Sequence, residues 1–354
     1  MRITFGRGLT AAVFTIGLSL VATACSGPTP APVDEGDDPG ETFAPVTIRL
    51  ALPTSVTSFS NSDIAVAREL GYFDELGLTV ETTNLKAGGD AVKGVVSGSF
   101  DIGGASIEPV INAYVTGANL NIIASYADRL VVDMVTSKSI TDPAELAGKN
   151  LGVQEIGSFR EVMTRMVLES VDLSQSDVSY VPTNADAIVS GLVAGQIQSG
   201  ILQPEQLISA EEKDPDLHSL VNLFQIEPKY FYGTYFASQD WLKENPDAAV
   251  RFTQALTKAH RTMYDDEAKV VPVIAEETGF SEDIITQAWT VYMEDIEAFA
   301  KNEGLDQENI DYTLQRMDEL GTLRPGATTD VSGLVDRGPI TKAVENLGSI
   351  DGRS

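Results

Sequence analysis

DAVKGVVSGSFDIG, residues 90–103, and DAIVSGLVAGQIQSG, residues 186–200, align with a single inserted residue. Each opens with apolar residues at helical spacing, passes through a glycine (Gly98 and Gly195) and enters a short run that reads as a strand. One reading is two lobes built on similar helix–strand units. The other is that any such unit looks alike at this length.

The surroundings decide for α/β in either case. Ahead of the first copy, VTIRLALP (46–53) is short and β-branched, and TVETTNL (79–85) is a second strand. Between them Ile64, Ala67, Leu70 and Phe73 share a helical face behind caps at Asn61–Asp63, which predicts a helix ending near Gly71. FDIGGAS (100–106) and NLNIIASY (119–126) complete a βαβαβ rhythm, the mark of a mostly parallel sheet with helices on both faces. The rhythm restarts after VVDMVTSKS (131–139). DPAELAGKNLGV gives a short Asp-capped helix with Pro143 at its start and then a strand, SFREVMTRMVLESV a strong helix, and VSYVP and QSGILQP two strands around the helix NADAIVSGLVAG. LVNLFQI (220–226) reads as a further strand, and from Trp241 onward the chain is mainly helical. Two such lobes joined by two crossings leave a cleft, and ligands of open α/β sheets bind outside the carboxyl ends of the strands.

Composition narrows the function. The net charge of −28 argues against nucleic acid and against an anionic lipid surface as partner. The two histidines, His218 and His260, have no metal-ligand spacing, so no metal or cofactor is expected. Arg2 and Arg7 precede an apolar run, residues 8–24, which is short for a membrane span and has the layout of a secretory signal. The chain's single cysteine, Cys25, follows Ala22-Thr23-Ala24. That segment resembles a bacterial lipobox, which implies cleavage before Cys25 and a lipid on its sulfur; the alternative is an ordinary signal with an unrelated cysteine. Residues 25–45, rich in Pro, Gly and acids, read as a disordered tether. The expected plan is a signal over 1–24, the tether, a first lobe over 46–136, a second over 137–232 and a helical return to the first over 233–350.

ARELGYFDELGLTVE (67–81), GGDAVKGVVSGSFDIGGAS (88–106), ELAGKNLGVQEIGS (145–158), GLVAGQIQSGILQPE (191–205) and ENPDAAVRFTQALTKA (244–259) lie in order along the body. Together they resemble the solute-binding proteins of ABC importers, in the group that includes sulfonate, taurine, nitrate and thiamine-pyrimidine binders. The resemblance implies a two-lobed periplasmic-binding-protein fold of the venus-flytrap kind, a small-molecule ligand and a membrane permease as partner; the lipid anchor at Cys25, read independently, fits that job, and a monomer on the outer face of the cell membrane is expected. The chain departs from the group at Gln198, where an acid is common, and at Leu202-Gln203-Pro204-Glu205, where an aromatic-Glu-Pro is common. Both departures are expected on the cleft side.

Candidate ligand contacts follow from helix starts and strand ends. Gly157 and Ser158 open the helix that begins at Phe159, where free amides favour an anion. Ser158 and Glu161 also form the S-x-x-E pattern of a structural capping box. Arg160 is either a surface partner of Glu155 or an anion clamp. Thr57, Ser58 and Phe59 follow the first strand. Gly88 and Gly89 start the next helix. Ser106 and Glu108 follow FDIGGAS; a carboxylate there suits an amine or aminopyrimidine, or simply caps a helix. Tyr126, Asp128 and Arg129 fall near the first crossing, and PKYFYGTYF (228–236) near the second, with Tyr232 the candidate to wall the cleft rather than fill the hinge.

No nucleophile elbow, phosphate loop or dinucleotide fingerprint is present in the sequence. A related fungal branch uses this fold to make the thiamine pyrimidine, with chemistry that needs a cysteine-rich motif and histidine; this body offers neither, so an enzyme is not expected. A lipid-anchored sensor or adhesion protein is the remaining alternative.

Overall fold

The computed structural model describes residues 43–54, 57–154, 156–326 and 330–353. The expected signal, Cys25, the tether up to residue 42, and Glu155 lie outside the described residues.

Among the described residues ten strands form two five-stranded sheets. The first takes β1 (Val46–Leu52), β2 (Leu78–Asn84), β3 (Ile102–Ser106), β4 (Leu120–Ala124) and β10 (Gly233–Ser238), in the order β2-β1-β3-β10-β4. The second takes β5 (Asp133–Ser137), β6 (Asn150–Val153), β7 (Ser179–Pro182), β8 (Ser199–Leu202) and β9 (Leu217–Asn222), in the order β7-β6-β8-β5-β9. Each has three parallel strands beside one inserted strand that runs antiparallel to both its neighbours: β10 in the first sheet, β5 in the second. β10 is reached only after the chain has built the second sheet, so the backbone crosses twice between lobes. We place the first crossing before Asp133, because β5 pairs wholly within the second sheet; a boundary at 136/137 would cut that strand.

The helices, in chain order, are α1 (Asp63–Glu69), α2 (Tyr72–Glu75), α3 (Gly88–Val96), α4 (Ile107–Tyr114), α5 (Phe159–Glu169), α6 (Ala185–Val193), α7 (Pro204–Lys213), α8 (Leu223–Ile226), α9 (Gln239–Glu244), α10 (Pro246–Asp265), α11 (Glu267–Thr278), α12 (Glu282–Trp289), α13 (Gln307–Glu319) and α14 (Gly338–Leu347). The two aligned stretches occupy equivalent places. α3 leads into β3, which pairs parallel with β1; α6 leads into β8, which pairs parallel with β6. Gly98 and Gly195 sit just past the two helices at φ +74° and +66°, a left-handed conformation that costs a side-chain-bearing residue and lets the chain turn into the strand.

The segment 220–226 differs from expectation. β9 stops at Asn222, whose side-chain oxygen accepts the Gln225 amide at 3.2 Å and starts a four-residue helix. The largest apolar cluster runs from Ile48 and Leu50 of the first sheet, through Tyr126 and Tyr232 at the crossings, to Leu151 and Ile201 of the second. The crossings are therefore packed and not loose linkers. Among the described residues no helix is long and apolar enough to cross a membrane.

Candidate functional site

The carboxyl ends of the strands in both sheets open onto a cavity of about 970 Å³. Its walls come from both lobes because four helices begin there: α3 after β2, α4 after β3, α5 after β6 and α7 after β8.

Of the residues expected from the sequence, Thr57, Ser58, Gly88, Gly89, Ser106, Gly157, Ser158, Phe159 and Tyr232 line this cavity. Thr57 is held by Glu277 (Oγ1 to Oε1, 2.9 Å), and Ser58 by Asn61, whose Oδ1 accepts both its amide (2.9 Å) and its hydroxyl (2.8 Å). Gly88 lies so close to β3 that a Cβ would sit 2.9 Å from that of Ala105, which keeps the first turn of α3 tight against the strand. Gly157 takes φ +79°, and its amide donates to Glu161 at 2.8 Å. The Glu161 carboxylate thus reaches one residue further back than a capping box through Ser158 requires. The Phe159 ring stacks on Tyr232 at 4.4 Å between centroids, and Tyr126 meets Tyr232 edge-on at 5.5 Å.

Two expected residues lie beneath the wall and not on it. Phe59 is fully buried and stacked on Tyr292 at 4.3 Å, because the 3₁₀ turn Phe59–Asn61 directs its ring into the core; only its amide faces the second lobe. Glu108 is fully buried in the first turn of α4, accepts the Tyr230 hydroxyl at 2.8 Å, and is pushed above the usual carboxylate range by its burial. Arg160 is no surface residue either. It is 5 % exposed and donates to the Ile201 carbonyl and, at 3.0 Å, to Gln206 Oε1. Gln198 braces its own turn, accepting the Asn150 amide at 3.1 Å and donating to the Gly195 carbonyl, and stays clear of the cavity.

Two residues that sequence reasoning left out of the site are Gln203 and Glu205, at the start of α7. Both line the cavity. Gln203 Nε2 donates to Ser60 Oγ at 2.9 Å and to the Tyr232 hydroxyl at 3.2 Å. Glu205 Oε1 accepts the Phe59 amide at 3.2 Å. These contacts join the second lobe to the first at the cavity floor. Burial pushes the Glu205 carboxyl up to about 7, against the opposing pull of backbone amides and of Arg160. The signal was present in the sequence, since Leu202-Gln203-Pro204-Glu205 is where the chain departs from its look-alikes. Among the described residues no cluster of His, Cys, Asp and Glu is arranged to hold a metal, and neither His218 nor His260 lines the cavity.

The sequence model of the family described as NMT1/THI5 like matches residues 59–270. Among curated proteins, a binding protein of Brucella abortus is 24 % identical over 206 residues, covering 57 % of this chain and 62 % of that protein. A 4-amino-5-hydroxymethyl-2-methylpyrimidine phosphate synthase of Saccharomyces cerevisiae is 23 % identical over 220 residues, 58 % and 64 % of the two chains. The chain thus spans a little under two thirds of the length of these relatives. Among solved structures, the ligand-binding component of an ABC-type import system from Staphylococcus aureus superposes with a TM-score of 0.70 at 14 % identity, covering 84 % of this chain and 98 % of that one. The alkanesulfonate-binding protein SsuA of Xanthomonas axonopodis pv. citri, bound to MOPS, gives 0.68 at 17 % identity, over 84 % and 100 %. The fold is the two-lobed one of periplasmic binding proteins.

Proposed function

The chain belongs to the NMT1/THI5-like family, and from that premise we propose that it is the extracytoplasmic solute-binding component of an ABC importer. It captures a small organic solute between its lobes and delivers it to a membrane permease. The observation that carries this reading is the cavity of about 970 Å³ walled by helix starts from both sheets. That size suits one organic solute, and contacts from both lobes let binding energy drive closure. The solute classes to try first are sulfonate- or taurine-like anions and thiamine-pyrimidine-like heterocycles. An enzymatic role, as in the yeast relatives, is disfavoured because neither histidine reaches the cavity and the sequence holds one cysteine, at position 25.

In this reading the mature chain is a monomer, held on the outer face of the membrane by lipid on Cys25 and a tether that ends before Phe43, three residues earlier than expected, because the Phe43 ring lies under Arg251 and the Ala44 carbonyl accepts from it. Replacing Cys25 by Ser should move the protein from the membrane fraction to the soluble one; a variant that stays with the membrane rules out that anchor.

Thermal unfolding against alkanesulfonates, taurine, nitrate and aminopyrimidines tests the function. A ligand at 1,000 times its dissociation constant adds about 4 kcal/mol. For a body of this size that raises the midpoint by roughly 2 °C or more per kcal/mol. A shift with any solute supports solute capture. No shift across the panel, together with a protein partner in pull-downs, favours an adhesion or sensor role.

A further inference from the structure

Four helix N-termini aimed at one cavity would ordinarily make it a place for an anion. Here each of the four carries a carboxylate in its first turn: Asp90 on α3, Glu108 on α4, Glu161 on α5 and Glu205 on α7. Glu161 is fully buried, takes the Gly157 amide and pairs with Arg165 at 2.6 Å. Arg160, the buried cation of the wall, is turned to the Ile201 carbonyl and Gln206. The positive ends of the helices are thus answered from within the protein, while the other cations that line the cavity are Lys93, paired with Asp90 at 3.2 Å, Lys213 and Arg324.

Among the described residues Gln203 Oε1 and Glu205 Oε2 are buried acceptors with no well-formed hydrogen bond, although the Tyr292 hydroxyl lies near enough to Glu205 to lower its pKa, and both side chains, 4 % and 0 % exposed, line the cavity. A buried carboxylate oxygen left unpartnered opposes folding, and a ligand N–H would remove that cost. Beside this pair stands the flat Phe159–Tyr232 stack. At the rim, Val96 and Ile156, one from each lobe, line the cavity yet stay 51 % and 69 % exposed.

We propose that the cleft selects an organic cation: an amine or amidine head held by Glu205 and Gln203, on a flat or apolar body that lies along Phe159 and Tyr232 and is covered at the rim by Val96 and Ile156. This rests on the solute-binding reading and chooses among its classes, setting simple sulfonates and nitrate aside.

Titration calorimetry at pH 7.5 with benzamidine and benzenesulfonate compares opposite head charges on one ring. The wild-type protein is expected to bind benzamidine and not benzenesulfonate. Glu205→Gln, which keeps the side-chain shape, should weaken benzamidine at least tenfold while its circular dichroism stays native. Benzenesulfonate binding as tightly as benzamidine, or benzamidine binding unaltered in Glu205→Gln, overturns the proposal and leaves solute capture standing. So does a panel in which only anions bind. If neither probe nor any panel solute binds, solute capture falls, and this proposal with it.

Discussion

The Glu205 carboxylate accepts the Phe59 amide across the cavity floor at 3.2 Å, so a residue of the second lobe completes the backbone hydrogen bonding of the first. Its burial sets a pH dependence. The carboxyl rises from an ordinary 4.5 to about 7 on folding, so between those values the folded state holds a proton that the unfolded chain releases. This group's contribution to stability therefore falls as pH rises from about 4.5 to 7, then stays level. The full loss is about 3 kcal/mol, at 1.36 kcal/mol per unit. Glu205→Gln should be more stable than wild type at pH 8, less so at pH 5. Denaturant titrations at both pH values check this; a difference that does not grow with pH refutes it.

Phe159 stacks on Tyr232 at 4.4 Å, a contact between the helix that opens the second lobe's wall and the second crossing. Such a pair contributes about 0.5–1.5 kcal/mol beyond its buried area. Phe159 is half-buried, so Phe159→Leu should cost the unliganded protein only about 1 kcal/mol. Its effect on a flat ligand should be larger, about tenfold in dissociation constant, because the wall loses its planar face. Equal affinity for the flattest ligand found would mean that the stack belongs to the hinge core alone.

Much of this was legible in the sequence. The repeated helix–glycine–strand stretch and the start sites of α3, α4 and α5 follow from periodicity and capping, which are local. Phe59 and Glu108 were misplaced because direction is not local: the turn at Phe59–Asn61 and the Tyr230 hydroxyl, distant in sequence, decide that both point inward. Gln203 and Glu205 escaped notice as ligand contacts because their importance comes from Ser60 and Phe59 across the floor. No pattern within α7 announces those partners.

Arg316 on α13 reaches Glu169 at the end of α5 (2.6 Å) and Glu227 in the second crossing (3.0 Å). It ties the helical return to the other lobe, beside the Arg165 bond to the Leu320 carbonyl at 3.1 Å. Glu227 is 6 % exposed, so Arg316→Met leaves it buried with only Tyr312 as side-chain hydrogen-bond partner among the described residues. That should cost about 2–3 kcal/mol, somewhat under the figure for a fully buried pair. Glu169 is half-exposed, so Glu169→Gln should cost less than about 1 kcal/mol. Thermal midpoints of the two variants test the ranking, and equal losses would contradict it.

Ser106 and Ser158 line the cavity from opposite lobes, each at the start of a helix. A ligand that closes the lobes must be held from both sides, since contacts to one lobe alone bind open and closed forms equally and shift nothing. Ser106→Ala and Ser158→Ala should therefore each weaken the solute, by about tenfold if each removes one hydrogen bond near 1.4 kcal/mol. Scattering that follows closure separates the roles. Loss of a closing contact reduces the ligand-induced compaction at a given concentration, and more ligand restores it. Should both variants bind and close as the wild type does, the solute is held without either hydroxyl.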